Sequence, residues 1–160
     1  MQKWLFLFAV LSLWQCRPEN TFPAGAPIDL SGRDMLEAVN AVRSAGCYCS
    51  DQYYPPVPLL SENGQLGAAA RAHVADMAAN DFLSHRGSDG SDVGERASRE
   101  GYEWRNIGEN IARGYSTTEA VMQAWLSSPA HCRNLMSADF RELGFARQGD
   151  FRVQVFGRSR

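Results

Sequence analysis

The cysteines constrain the fold of this chain more than any other feature. There are four, at positions 16, 47, 49 and 132. Because Cys47 and Cys49 are separated by one residue, a bond between them would close a small, strained ring, and we expect one of them to pair with Cys132. Closing a loop of that length would contribute roughly 4–5 kcal/mol in the chain-entropy model. The alternative is a metal site made from Cys47, Cys49, His131 and Cys132, which lacks the paired short spacings of a zinc knuckle.

The N-terminal segment predicts export, which would permit disulfides. Lys3 precedes an apolar run from Trp4 to Trp14. About eleven apolar residues are too few to span a bilayer as a helix but suit the core of a signal peptide. Cys16 follows at the place of a lipidated cysteine, although Trp14 and Gln15 are bulkier than the residues usual before one. We expect a protein of the cell envelope that reaches the membrane only through this N-terminal lipid anchor.

The predicted organisation is a signal peptide at 1–15, a lipidated cysteine and tether at 16–30, and one domain at 31–160. Residues 17–30 are rich in Pro, Gly and Ala and lack periodicity, which is typical of a tether. Two alternatives stay open. The first is cleavage after the segment Ala24 to Ala26 with simple secretion, and the second is a cytosolic protein with an apolar first helix.

Composition excludes one class of function. The formal net charge is −2, and every basic residue except Lys3 is an arginine, scattered along the chain. Nucleic-acid binding needs a basic surface, so we expect no nucleic-acid partner.

Periodicity and capping signals predict several helices. One helix extends from about Ser31 to Gly46 with Met35, Val39 and Val42 on one face, and another extends from about residue 62 to 80. Ser116 and Glu119 form a capping-box pattern before a helix that ends near residue 126. Ser128 and Pro129 suit the N-cap and first position of a further helix.

Strand signals come mostly late in the chain. NIGENIARG is compatible with a strand, and ELGFAR and FRVQVFG surround a glycine turn as an antiparallel hairpin would. The segment CYCSDQYYPPVPLL is predicted to be irregular, since its prolines exclude a helix. Without regular β-α-β alternation, the pattern favours an α+β fold.

Three histidines and one glutamate are the candidate functional residues. His73 has helical spacing among apolar residues and is predicted to be a core histidine with a satisfied ring. His85 enters a polar glycine loop, whereas His131 lies in the first turn of a helix, where the dipole favours the neutral, metal-binding imidazole. If NIGENIARG is a strand, Glu109 faces the same side as its apolar neighbours and needs a partner, either an arginine or a shared site.

The order of the motifs resembles the bacterial branch of the CAP superfamily, the SCP-like extracellular proteins. Those motifs are Phe-x-Ser-His with a nearby Asp-Gly, then Gly-Glu-Asn-Ile, then Trp-x-x-Ser-Pro-x-His-x-x-Asn, and they extend over roughly residues 35 to 157. The resemblance implies an α-β-α sandwich with a central antiparallel sheet and a surface cleft. It also implies that Cys49, rather than Cys47, pairs with Cys132.

The resemblance further implies a cleft in which His85, His131 and Glu109 bind a divalent cation such as Zn²⁺. Animal members usually carry a second glutamate two residues after the tryptophan, where this chain has Ser127. We expect a non-enzymatic exported module whose cleft binds a small molecule, lipid or cell-envelope component. The alternative is a metal-dependent hydrolase of esters or peptides that uses Glu109, His85 and His131 as catalytic residues. A third possibility is an interaction protein whose histidines merely fill the cleft.

Overall fold

The structure, a computed structural model, describes residues 32–160. It contains five helices and six strands within that range. The helices are α1 (Gly32–Ala45), α2 (Gly64–Ala79), α3 (Val93–Arg99), α4 (Thr118–Ser127) and α5 (Pro129–Met136). The strands are β1 (Cys47–Cys49), β2 (Gln52–Tyr54), β3 (Ser61–Glu62), β4 (Trp104–Arg113), β5 (Glu142–Gln148) and β6 (Phe151–Ser159). The predicted signal peptide, lipidated Cys16 and tether lie outside the described residues.

The main sheet has four strands in the order β3-β5-β6-β4. Its long strands are antiparallel, with β6 paired to β5 on one side and to β4 on the other, while the two-residue β3 runs parallel to β5. This confirms the predicted hairpin and the predicted strand at NIGENIARG. In this sheet β4 is an edge strand, which leaves one of its sides open to other parts of the chain.

Helices cover both faces of the sheet, as the predicted α-β-α sandwich requires. On one face, α1, α4 and α5 share a core with Leu143 and Phe156. On the other face, α2 and α3 pack with Val153 and Val155 of the central strand. Because β6 is covered on both faces, its buried run is nearly continuous, as expected for a strand between two layers. Gly144 allows the close contact with α2, since a Cβ there would collide with the backbone of Leu66 and Gly67.

The disulfide joins Cys49 to Cys132 with a Cα–Cα distance of 5.5 Å and a sequence separation of 83. The pairing implied by the resemblance is therefore confirmed. Because these two sulfurs are bonded to each other, the alternative Cys/His metal site is not formed. The bridge connects β1, just after α1, to the first half of α5.

Two local predictions differ from the structure. The N-cap of α4 is Thr117 rather than Ser116, and its Oγ1 accepts a hydrogen bond from the Ala120 amide at 3.1 Å. The segment predicted to be irregular contains the β1–β2 hairpin, in which the Tyr48 and Tyr53 rings lie 5.1 Å apart. Three-residue strands fall below the length at which alternation can be recognised in a sequence.

Candidate metal centre

The candidate centre is built around the edge strand β4, where Glu109 and Asn110 are consecutive. Successive side chains of a strand point to opposite faces. Glu109 reaches the layer that contains α2 and α3, whereas Asn110 reaches the layer that contains α5. Two adjacent residues of one strand therefore hold groups from both helical layers, which explains how distant segments meet here.

Glu109 is a buried carboxylate with both oxygens occupied. Its side chain is 2% exposed, Oε1 lies 2.7 Å from His85 Nδ1, and Oε2 accepts a hydrogen bond from Arg96 at 2.7 Å. The predicted orientation toward the apolar side of β4 is correct. The buried carboxylate has two partners, His85 and Arg96, so the predicted arginine partner is present.

His85 is oriented by that carboxylate. Since a carboxylate accepts and does not donate, Nδ1 carries the proton and donates it to Glu109. In the neutral form of such a ring, the lone pair is on Nε2. Because the His85 side chain is 60% exposed, solvent and solutes can reach it. A histidine whose second nitrogen is bound to a carboxylate is the usual arrangement behind a metal-binding imidazole.

His73 is buried beside the same carboxylate. Its Nε2 donates to the Ser84 carbonyl at 2.8 Å and lies 3.9 Å from Glu109 Oε1. Burial, the largest influence, lowers the pKa of His73, and the charge of Glu109 opposes that change in part. The prediction of a core position is correct, but the ring is not fully satisfied, because Nδ1 is buried without a hydrogen-bond partner among the described residues.

His131 occupies the first turn of α5. Ser128 is the N-cap and Pro129 begins the helix, as predicted, although the Ser128 side chain makes no capping hydrogen bond. The neighbouring Cys132 anchors the helix through the disulfide, and the His131 carbonyl accepts a hydrogen bond from Asn110 Nδ2 at 3.3 Å. Burial and, secondly, repulsion from the protonated form of His85 lower the pKa of His131, which favours the neutral ring.

The three predicted ligands are not equivalent. Glu109 contacts His85 directly, and His131 interacts electrostatically with His85. Among residues 32–160, however, the one group of three potential ligands whose donor atoms all lie within 4.8 Å of one another is the cysteine cluster. In this arrangement both oxygens of Glu109 already have partners, Oε1 with His85 Nδ1 and Oε2 with Arg96.

Sequence reasoning missed three residues that support the centre. Arg96 binds Glu109, and Asn134 donates to the Glu109 carbonyl at 3.1 Å and to Asn110 Oδ1 at 2.9 Å. Asn110 in turn donates to Gln154 Oε1 at 3.2 Å. For the asparagines, the signal was their place inside the two motifs that carry Glu109 and His131. For Arg96, the sequence offers only an arginine in the helix after the glycine loop.

Residues 36–156 match the family model of CAP, the cysteine-rich secretory protein family. The chain belongs to the CAP family. A curated relative of this CAP protein, the uncharacterized protein YkwD of Bacillus subtilis strain 168, is 29% identical over 93 residues, which span 57% of this chain and 36% of YkwD.

Solved structures share the fold of this CAP protein. An extracellular protein containing a SCP domain from Bacillus anthracis strain Ames has a TM-score of 0.72 and 30% identity, with 79% of this chain and 40% of that chain covered. An outer surface protein from Borrelia burgdorferi has a TM-score of 0.72 at 20% identity, with 85% of this chain and 99% of that chain covered. The CAP domain thus spans less than half of YkwD and of the B. anthracis protein.

Within residues 32–160, no helix has the length and apolar character needed to cross a bilayer.

Proposed function

We propose that this CAP protein is exported and binds a divalent metal ion between His85 and His131. The observation that carries the proposal is the hydrogen bond from His85 Nδ1 to Glu109 at 2.7 Å, because it leaves Nε2 with a lone pair on an exposed ring. The lowered pKa of His131 keeps the second imidazole in its metal-binding form. Two neutral imidazoles suit zinc and its neighbours in the first transition row.

In this proposal Glu109 supports His85 and is not a ligand itself, since both of its oxygens already accept hydrogen bonds. Two protein ligands leave the remaining positions of the ion to water or to a donor atom of a bound molecule. A small molecule, lipid or cell-envelope component with an oxygen donor could therefore be held through the ion.

Calorimetry with Zn²⁺ on the purified, metal-free protein tests this site. We expect binding that is lost or strongly weakened in His85→Ala and in His131→Ala. The matched control is Arg133→Gln, an exposed residue on the same helix as His131, whose affinity should equal that of the wild type. Equal zinc affinity in the wild type and in both histidine variants would refute the site.

The extracellular description of the B. anthracis relative supports the exported location. For this chain we propose that the lipid on Cys16 holds the domain at the cell envelope, so that the centre faces components of that compartment.

A hydrolase is the second candidate, and the Glu109–His85 pair favours it. A buried carboxylate that orients a histidine through Nδ1 is also the relation found behind a general base. A bound metal ion could supply an activated water for attack on an ester or amide. Turnover of an ester or peptide library that requires metal and disappears in His85→Ala would support hydrolysis, whereas no turnover with metal bound would exclude it for those substrates.

A further inference from the structure

We propose that Arg96 is a positioning residue that holds His85 from two sides and thereby determines which imidazole nitrogen faces the metal ion. Its effect on metal affinity rests on the proposed function, whereas its effect on His85 can be measured in the metal-free protein.

The guanidinium of Arg96 donates hydrogen bonds to three acceptors, two of which belong to or bind His85. Nη2 donates to Glu109 Oε2 at 2.7 Å and to the His85 carbonyl at 3.1 Å, and Nη1 donates to the Ser91 carbonyl at 2.7 Å. Arg96 therefore binds the main chain of His85 directly and its imidazole indirectly, through the other oxygen of Glu109. The Ser91 contact closes the loop that follows His85 against α3.

Arg96 is held in place by its burial and by the helix that carries it. The residue is 6% exposed and lies on α3, which begins with a reciprocal capping box between Asp92 and Glu95. The Glu109 side chain that Arg96 binds is 2% exposed. Near the Glu109 carboxylate, His73 Nε2 donates a hydrogen bond to the Ser84 carbonyl at 2.8 Å and lies 3.9 Å from Glu109 Oε1. Arg96 and His85 are thus the groups that hold the carboxylate at hydrogen-bond distance.

The planar, fork-like arrangement of N–H groups in the Arg96 guanidinium matters as well as its charge. A guanidinium is planar and presents several N–H groups at set angles, so that one side chain can serve a carboxylate and two carbonyls together. A lysine ammonium carries the same charge but no planar fork. Without the fork, Glu109 can rotate, and the Nδ1–H form of His85 is no longer selected over the Nε2–H form.

The decisive experiment compares wild type, Arg96→Met and Arg96→Lys by imidazole ¹⁵N NMR without metal and by Zn²⁺ calorimetry. We expect the Nδ1–H tautomer at His85 in the wild type and a mixture of tautomers in Arg96→Met. Zinc affinity should fall about 10- to 100-fold in Arg96→Met, the usual effect of losing a group behind a ligand, and by less in Arg96→Lys. Arg99→Met is the matched control, because Arg99 lies on the same helix but pairs with Asp89 at the surface.

Folding of each variant is checked by circular dichroism and thermal unfolding. A folded Arg96→Met with the wild-type tautomer and wild-type zinc affinity would overturn the proposal. If Arg96→Met does not fold, Arg96→Lys decides, and a wild-type tautomer and affinity in that variant would overturn it equally. If the wild type binds no zinc while the tautomer shifts as expected, the proposed function fails and the positioning role of Arg96 stands.

Discussion

At the scale of single residues, Glu109 illustrates what a sequence pattern can and cannot supply. Its place between Ile107 and Ile111 predicts a carboxylate on the apolar side of a strand, and this is correct. The identity of its partners depends on where α3 and the loop after α2 fold against β4. The spacing of residues along the chain does not indicate that contact, so Arg96 could not be distinguished from the other arginines in the sequence.

The buried histidines predict how stability depends on pH. Burial is the largest influence that lowers the pKa of His73 and of His131. The unfolded chain therefore binds protons at a higher pH than the folded protein does. Above the ordinary histidine pKa of about 6.5, both rings are neutral in the folded and in the unfolded chain, and their contribution to the free energy of unfolding is fully present. It is lost as the pH falls below that value toward the lowered pKa of the folded state.

Urea unfolding between pH 7.5 and pH 5 measures this effect. We expect the free energy of unfolding to decrease toward acid, and to decrease less in His73→Gln, whose amide can still donate to the Ser84 carbonyl. A pH dependence that is identical in the two proteins would show that His73 remains equally protonated on folding.

At the scale of secondary-structure elements, long periodic segments were predictable from the sequence, whereas the short β1–β2 hairpin and the contacts made by buried arginines were not. The apolar face of α1 and the β5–β6 hairpin follow from repeating patterns over many residues. The attachment of α1 to α5 instead depends on Arg43, which is fully buried and donates to the Leu135 carbonyl at 2.6 Å and to the Ser137 carbonyl at 3.0 Å. Burial lowers the pKa of Arg43 to about 10. A buried arginine satisfied by backbone carbonyls leaves no sign in the sequence.

The disulfide between β1 and α5 carries a prediction at this scale. Its loop of 83 residues is long, so that replacing both cysteines in Cys49→Ala/Cys132→Ala should lower the free energy of unfolding by about 4 kcal/mol. We also expect weaker zinc binding, because α5 would lose its covalent anchor one residue from His131. Urea unfolding and calorimetry measure the two effects. Unchanged zinc affinity in the double variant would show that α5 packing alone places His131.

At the scale of the whole molecule, the order of the motifs along the chain predicted more of the fold than any local pattern did. His85, Glu109 and His131 are separated by more than twenty residues each, and such wide spacings carry almost no metal signal by themselves. In the fold, Glu109 of the edge strand β4 binds the His85 ring, and the next residue, Asn110, binds the His131 carbonyl. The resemblance supplied the candidate residues and the Cys49–Cys132 pairing, whereas the hydrogen bonds of Glu109 with His85 and Arg96 are known only from the coordinates.

The proposed lipid anchor is also a property of the whole molecule. If Cys16 is lipidated, intact mass spectrometry of the protein extracted from its own membranes should give the chain from Cys16 onward plus a thioether-linked diacylglycerol. The mass of an unlipidated chain with all four cysteines oxidised would contradict lipidation and leave export without an anchor.

X-ray absorption at the zinc edge tests most directly whether two histidines from distant segments share one ion. For the zinc-loaded wild type we predict two imidazole ligands at about 2.0–2.1 Å, with oxygen donors completing the shell. The imidazole count should fall to one in His85→Ala and in His131→Ala, and stay at two in His73→Gln. A zinc shell without imidazole, or one that is unchanged in both alanine variants, would contradict the shared site.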